Sequence, residues 1–64
     1  MNIQFNSYTM NKAALFENGL EVIEHFGRFY VVKKSSVNLY KLFFNTGSFQ
    51  QAICYASKME YYVT

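Results

Sequence analysis

Two neighbouring stretches of the chain, residues 28–34 and 38–44, are apolar at both alternating sets of positions. RFYVVKK and NLYKLFF are rich in the β-branched and aromatic residues that strands prefer. In the second stretch the alternating sets are Tyr40, Leu42 and Phe44 on one side and Leu39, Lys41 and Phe43 on the other. A sheet with one covered face should alternate cleanly between apolar and polar residues. The pattern therefore predicts a sheet in which both faces need a cover.

The residues around these stretches predict a β-hairpin followed by a third strand. Residues 20–25 and 28–34 flank Gly27, which suits a tight two-residue turn. Phe26 is an unusual companion for that turn, where Asn or Asp is preferred. After the short connection SSV, residues 38–44 supply the third strand.

The C-terminal part of the chain predicts one helix, from about residue 48 to 60. Its apolar residues follow helical spacing: Phe49, Ala52, Ile53, Ala56 and Met59. Ser48 with Gln51 three residues later forms a capping-box pattern, and Thr46 is a competing N-cap. Because two of the apolar residues are alanines, this helix should lie close to the sheet.

The first nineteen residues leave more than one reading open. Residues 2–10 alternate enough to form a strand, whereas residues 11–19 suit either a short helix ending at Asn18-Gly19 or a strand that enters a hairpin. Residues 12–26 also match helical spacing as one continuous helix. Gly19 in the middle of that helix would cost about 1 kcal/mol relative to Ala, so we prefer the hairpin.

Together these elements predict an α+β fold in a single domain covering residues 1–64. We expect an antiparallel β-sheet of three to five strands followed by one C-terminal α-helix packed on one face. The other face would then be covered by the N-terminal segment, by a second copy of the chain in a homodimer, or by a partner protein. Exposed apolar patches of several hundred Å² commonly mark such interaction sites.

Composition supports a small domain with a strongly aromatic core. The chain has 64 residues, seven Phe, six Tyr and a formal net charge of +2, so the charge alone indicates no partner. A single cysteine, Cys54, allows no internal disulfide. The pattern of a signal peptide is missing and the longest apolar run, residues 52–56, is far too short to span a bilayer. The sequence therefore predicts a cytoplasmic protein without membrane contact.

The sequence offers little for catalysis, and we expect no enzyme, no cofactor and no metal. His25 and Cys54 are the only residues of their types, and one Cys with one His cannot complete a tetrahedral metal site. Aspartate is absent altogether. The residues three and four positions from Cys54 are neither acids nor histidines, so a nucleophilic thiol would need a partner from elsewhere in the fold.

Binding is the function that remains, and a protein-binding module is our leading prediction. The surplus apolar face supplies the expected partner-binding residues: Phe29, Val31, Lys33, Leu39, Lys41 and Phe43. The abundance of amino acids with A/T-rich codons suits a phage or other mobile element, where such a protein could be an anti-defence inhibitor that masks a host nucleic-acid-processing protein. An acidic segment that could imitate phosphate comprises Glu17, Glu21 and Glu24.

Two alternatives accompany this prediction. Aromatic residues interleaved with lysines on a sheet suit single-stranded nucleic acid, because bases stack on rings and lysines meet phosphates. The residues of that alternative are Phe29, Tyr30, Lys33, Lys34, Tyr40 and Lys41. The other alternative is a structural homo-oligomer whose second face is its own interface.

Overall fold

The chain folds into one five-stranded antiparallel sheet with one helix on it. The computed structural model describes residues 2–6 and 8–63, with side chains described up to residue 59. The elements are β1 (Asn2–Gln4), β2 (Met10–Leu15), β3 (Leu20–His25), β4 (Arg28–Ser36), β5 (Leu39–Thr46) and α1 (Phe49–Val63). Their order across the sheet is β1-β5-β4-β3-β2, and every neighbouring pair is antiparallel. The predicted α+β fold is confirmed.

Two tight turns organise the central strands. The hairpin of β3 and β4 turns at Phe26 and Gly27, whose φ angles of 51° and 78° are both left-handed, as a type I′ turn requires. The β4–β5 connection turns at Val37 and Asn38, and Asn38 has a φ of 60°. The predicted hairpin and third strand are therefore both present.

The N-terminal part resolves the open alternatives in favour of strands. Residues 10–15 form β2, and the backbone N–H of Phe16 donates to Leu20 O at 2.8 Å to close the hairpin with β3. Gly19 turns the chain with a φ of 90°, which a continuous helix over residues 12–26 could not contain. That helical alternative is wrong. The strand expected over residues 2–10 is also shorter than predicted, because β1 ends at Gln4.

Helix α1 covers one side of the sheet, here called the helix face. Its alanines face the sheet and are fully buried, which brings the helix backbone close to the strands. The buried residues of this core are Leu20, Val22, Val31, Ala52 and Ala56. Among the described residues, no helix is both long and apolar enough to cross a bilayer.

The start of α1 is capped much as the sequence predicts. Ser48 Oγ accepts a hydrogen bond from the backbone N–H of Gln51 at 3.3 Å, so Ser48 is the N-cap. The second hydrogen bond differs from that of a capping box, in which the Gln51 side chain would accept from the backbone N–H of Ser48. Thr46 Oγ1 accepts from the backbone N–H of Ser48 at 3.2 Å and donates to Gln51 Oε1 at 2.7 Å. The two residues that competed for the cap therefore act together.

The N-terminal segment covers the opposite side, here called the second face. Phe5 is only 4% exposed and packs on Ile23, Val32 and Tyr40. Its ring meets the rings of His25, Tyr30 and Tyr40 edge-on, at centroid distances of 5.3, 5.3 and 5.6 Å. Of the three covers considered for this face, the structure contains the first.

The connection that carries Phe5 also shapes the sheet. It leads from β1 at one edge to β2 at the other, across four strand spacings that amount to about 19 Å in a flat sheet. A turn in which the backbone N–H of Thr9 donates to Asn6 O at 3.0 Å shortens the connection below the reach of an extended chain. The sheet must therefore curl around Phe5.

A β-bulge explains why both alternating sets of β5 are apolar. Val31 pairs with Phe44 while the next residue, Val32, pairs with Leu42, which leaves Phe43 as an extra residue. Because a bulge shifts the alternation by one residue, Phe43 and Phe44 both pack against the core of the helix face. The expectation that Phe44 shares a face with Leu42 is corrected.

Candidate functional site

The predicted partner-binding residues lie together but are partly covered. Strand register places all six on the helix face. Val31 is fully buried beneath α1, so it is not available to a partner. Phe29 and Phe43 are half-buried against the same core, and the remaining members, Lys33, Leu39 and Lys41, reach the surface at the end of this face away from the β3–β4 turn.

The predicted acidic segment is not one surface. Glu21 is only 6% exposed and lies on the second face, where its Oε1 forms an ion pair with Lys12 Nζ at 3.5 Å. Glu24 alternates to the helix face and accepts a hydrogen bond from Asn11 Nδ2 at 3.3 Å. Glu17 is exposed in the β2–β3 turn. The three carboxylates therefore do not form a single acidic patch.

The residues proposed for nucleic-acid binding are divided between the two faces. Tyr30, Lys34 and Tyr40 belong to the second face, and Phe29, Lys33 and Lys41 belong to the helix face. Tyr40 is 2% exposed, so its ring is closed to a stacking base. The six predicted residues therefore do not form one surface.

The two residues considered for catalysis are also kept apart. His25 lies on the second face beside Phe5, whereas Cys54 is exposed on α1, on the other side of the sheet. Within residues 2–6 and 8–63, no group of three His, Cys, Asp or Glu side chains could hold a metal ion.

A different surface emerges from the exposed apolar side chains. The described ones separate by type: the aliphatic Leu15 and Val37 lie at one end of the sheet, and the aromatic Tyr8, Phe26 and Phe49 at the other. Register places the start of β2, the β3–β4 turn and the start of α1 at this second end. We call this end of the sheet, with its exposed residues Tyr8, Phe26, Arg28 and Phe49, the aromatic end.

Phe26 is the most unusual residue of the aromatic end. It is 80% exposed, yet it occupies a left-handed position with a φ of 51°. For an L-residue this conformation costs roughly 1–2 kcal/mol, and it is a genuine outlier for a bulky side chain. A Phe with this exposure recovers little of that cost inside its own fold.

Neighbouring side chains hold the aromatic end in place. The Phe26 ring lies 4.4 Å from the His25 ring, edge to face. His25 Nε2 in turn lies 2.9 Å from Thr9 Oγ1, next to Tyr8 in the chain. Because Thr9 Oγ1 donates its proton to Asn6 O at 3.2 Å, it can accept one from His25 Nε2.

The helix side of the same end is fixed in a similar way. On this side the Phe29 ring supports Phe49, with ring centroids 5.5 Å apart, while on the second face Arg28 Nη2 donates to Asn45 Oδ1 at 2.8 Å. A surface that is ordered before binding loses less conformational entropy when a partner docks.

Sequence reasoning missed this surface although one signal for it was present. Phe26 stands where Asn or Asp is the ordinary choice, and this departure from the preference of the turn is the signal. Tyr8 and Phe49 gave no comparable signal, because their exposure depends on how the N-terminal connection and α1 lie on the sheet.

The chain was compared with known protein families, characterised proteins and solved structures, and none matches it significantly.

Proposed function

We propose that the protein is a non-catalytic protein-binding module that docks through its aromatic end. The observation that carries this proposal is Phe26, a strained aromatic residue that is 80% exposed. Strained residues cluster at functional sites, where the strain is kept because the residue does something other than stabilise the fold.

Burial in a partner would more than offset this strain. Fully burying a Phe side chain contributes roughly 1.5–3 kcal/mol relative to leaving it in water. Tyr8 and Arg28 add the residue types that most often supply binding energy at protein interfaces. A protein with an apolar pocket is therefore the partner that this surface fits best.

The exposed position of Phe26 also bears on how an inhibitor of the kind suggested by the composition would act. A phage-type inhibitor of a host nucleic-acid-processing protein would act by inserting Phe26 into a pocket. Imitation of phosphate by the glutamates finds no support, because Glu21 is buried and Glu24 lies on the opposite face.

The alternatives have less support. A homo-oligomer is not needed to cover the second face, because Phe5 already covers it. Nucleic-acid binding would require rings and lysines on one surface, and the predicted set is split across both faces of the sheet.

Replacing Phe26 with Asn separates binding from stability. Asn tolerates a left-handed φ, so Phe26→Asn should raise the free energy of unfolding by about 1 kcal/mol, or roughly 4–8 °C in Tm for a domain of this size. The same change removes the docking side chain. Quantitative affinity capture from host lysate should then show a protein that the wild type retains and Phe26→Asn loses.

Val37 supplies the matched control. It is a turn residue with the same 80% exposure, at the opposite end of the sheet. Val37→Asn should retain the captured protein. If Phe26→Asn retains every protein that the wild type retains, or if both variants lose the same proteins, the aromatic end is not the docking surface. Capture of nucleic acid in place of protein would overturn the proposal as a whole.

A further inference from the structure

A groove runs along α1 on the side that faces β5. Its volume is about 610 Å³, and its lining residues are Phe44, Ser48, Gln50, Gln51, Cys54, Tyr55 and Lys58. Ser48 and Gln51 belong to the start of α1, beside Phe49. The groove therefore begins at the aromatic end and leads away from it along the helix.

The floor and the wall of the groove have different chemistry. Phe44 and Tyr55 stack face to face, with ring centroids 4.6 Å apart and planes 8° from parallel, and give the groove an apolar floor. The glutamines of the wall offer amide groups that can hydrogen-bond an extended main chain. Gln51 is held in position by the hydrogen bond that its Oε1 accepts from Thr46.

Among the residues whose side chains are described, charge is distributed unevenly around this groove. Lys58 lines it, and Lys33 and Lys41 stand directly opposite each other on the same face of the neighbouring strands. Like charges in directly opposed positions of a sheet destabilise the pair. The described acids all lie elsewhere, in β3 and the β2–β3 turn: Glu17, Glu21 and Glu24.

We propose that the groove binds an acidic, extended segment of the partner protein. This inference depends on protein binding as the function, but it uses residues outside the aromatic end. Carboxylates of the segment meet Lys58, while its apolar side chains lie on the Phe44–Tyr55 floor. Electrostatic complementarity of this kind sets the orientation and specificity of the bound segment.

A peptide fits this groove better than single-stranded nucleic acid does. Bases need open aromatic faces on which to stack. Phe44 and Tyr55 use one face for each other and also contact the core of the helix face, so they form a floor and not a stacking platform. A single lysine in the lining would also neutralise few phosphates.

The test uses the whole chain and defined probes. An acetylated hexapeptide of alternating Glu and Leu is titrated into the ¹⁵N-labelled protein, alongside the corresponding Lys-Leu peptide and a dT6 oligonucleotide. The Glu-Leu peptide should shift the amide resonances of the groove, and the Lys-Leu peptide should not. Modification of Cys54 by a thiol reagent should slow as the groove fills, because its thiol is exposed there.

Charge reversals locate the binding. Lys58→Glu should weaken the Glu-Leu peptide by about fivefold or more, because one favourable surface charge contact becomes repulsive. Lys34→Glu is the matched control, since Lys34 is also exposed but lies on the second face opposite Tyr40. It should change the affinity by less than about twofold, because the solvent screens the longer distance.

Equal binding of the Lys-Leu peptide, tighter binding of dT6, or equal effects of Lys58→Glu and Lys34→Glu would each overturn the inference. None of these results depends on Phe26. Failure of the groove proposal can therefore be distinguished from failure of the aromatic end as a docking surface.

Discussion

Phe5 is the residue on which the second face of the sheet depends. It is 4% exposed and contacts three other rings, those of His25, Tyr30 and Tyr40, at 5.3–5.6 Å. Edge-on aromatic pairs contribute roughly 0.5–1.5 kcal/mol each beyond the burial of their area. A single side chain in the β1–β2 connection thus forms the centre of the cover on the second face, where no helix lies.

Truncating Phe5 should remove most of the stability of the domain. Phe5→Ala should lower the free energy of unfolding by about 3–5 kcal/mol, because it removes a buried ring and leaves a cavity. A chain of 64 residues has a total stability of roughly 3–10 kcal/mol, so a large fraction would be lost. Urea denaturation monitored by circular dichroism measures the change.

Phe5→Leu is the comparison that separates a change in side-chain volume at position 5 from exposure of the second face to solvent. It keeps an apolar side chain on the face, so its loss of stability should be clearly smaller than that of Phe5→Ala. A loss below about 1 kcal/mol for Phe5→Ala would show that the connection does not cover this face.

At the residue scale, the sequence indicates which residues are apolar but not where each is buried. Phe5 lies within the run expected to form one strand over residues 2–10, and no Gly or Pro marks the end of β1 at Gln4. Phe16, Leu20 and Ile23 lie at helical spacing, so the apolar pattern alone suits a helix as well as a hairpin. Gly19, with its left-handed φ, is the residue that identifies the turn of a hairpin. Local signals based on glycine succeeded where patterns of apolar residues did not.

At the scale of elements, the N-cap of α1 is the local feature whose contribution to stability is tested most directly. Ser48 accepts the Gln51 N–H, so Ser48→Ala should destabilise the protein by about 1 kcal/mol, as is typical for loss of an N-cap. Amide hydrogen exchange at Gln51 and Ala52 should accelerate more than exchange in the centre of the helix, because the effect of a lost cap is confined to the first turn.

Ser57→Ala provides the control for this prediction. Ser57 is exposed in the middle of α1, where Ala has the higher helix propensity, so the variant should be neutral or slightly stabilised. Equal losses for Ser48→Ala and Ser57→Ala would contradict the assignment of Ser48 as the cap.

The bulge in β5 shows what element prediction could not provide. The hairpin at Gly27 and the helix start at Ser48 each have a local chemical signal, and both predictions are confirmed. The extra residue Phe43 has none, because the bulge is defined by pairing with β4. The bulge moved Phe44 to the helix face, away from Leu42, whereas the candidate site included the buried Val31 because the sequence does not show which face α1 covers.

At the scale of the whole molecule, both faces of the sheet are covered within one chain. α1 lies on the helix face, and the connection with Phe5 lies on the second face. The two edges are also poor templates for pairing. β1 has only three residues, while β2 carries a bulge between Lys12 and Ala14 and a charged lysine. The described part of the chain therefore offers no long, flat edge strand to another copy.

We therefore predict that the protein is a monomer in solution. Light scattering should give a mass near 7.5 kDa from micromolar to millimolar concentration, at low and at high salt.

A dimer that strengthens with concentration would contradict this prediction, and two variants would then locate its interface. Loss of the dimer in Phe26→Asn but not in Val37→Asn would mean that the aromatic end binds a second copy, so the docking proposal would change from a foreign partner to the protein itself. A dimer that survives both changes would have to use the groove, a face or an edge. In that case the covers provided by α1 and Phe5 would not be sufficient to keep the chain monomeric.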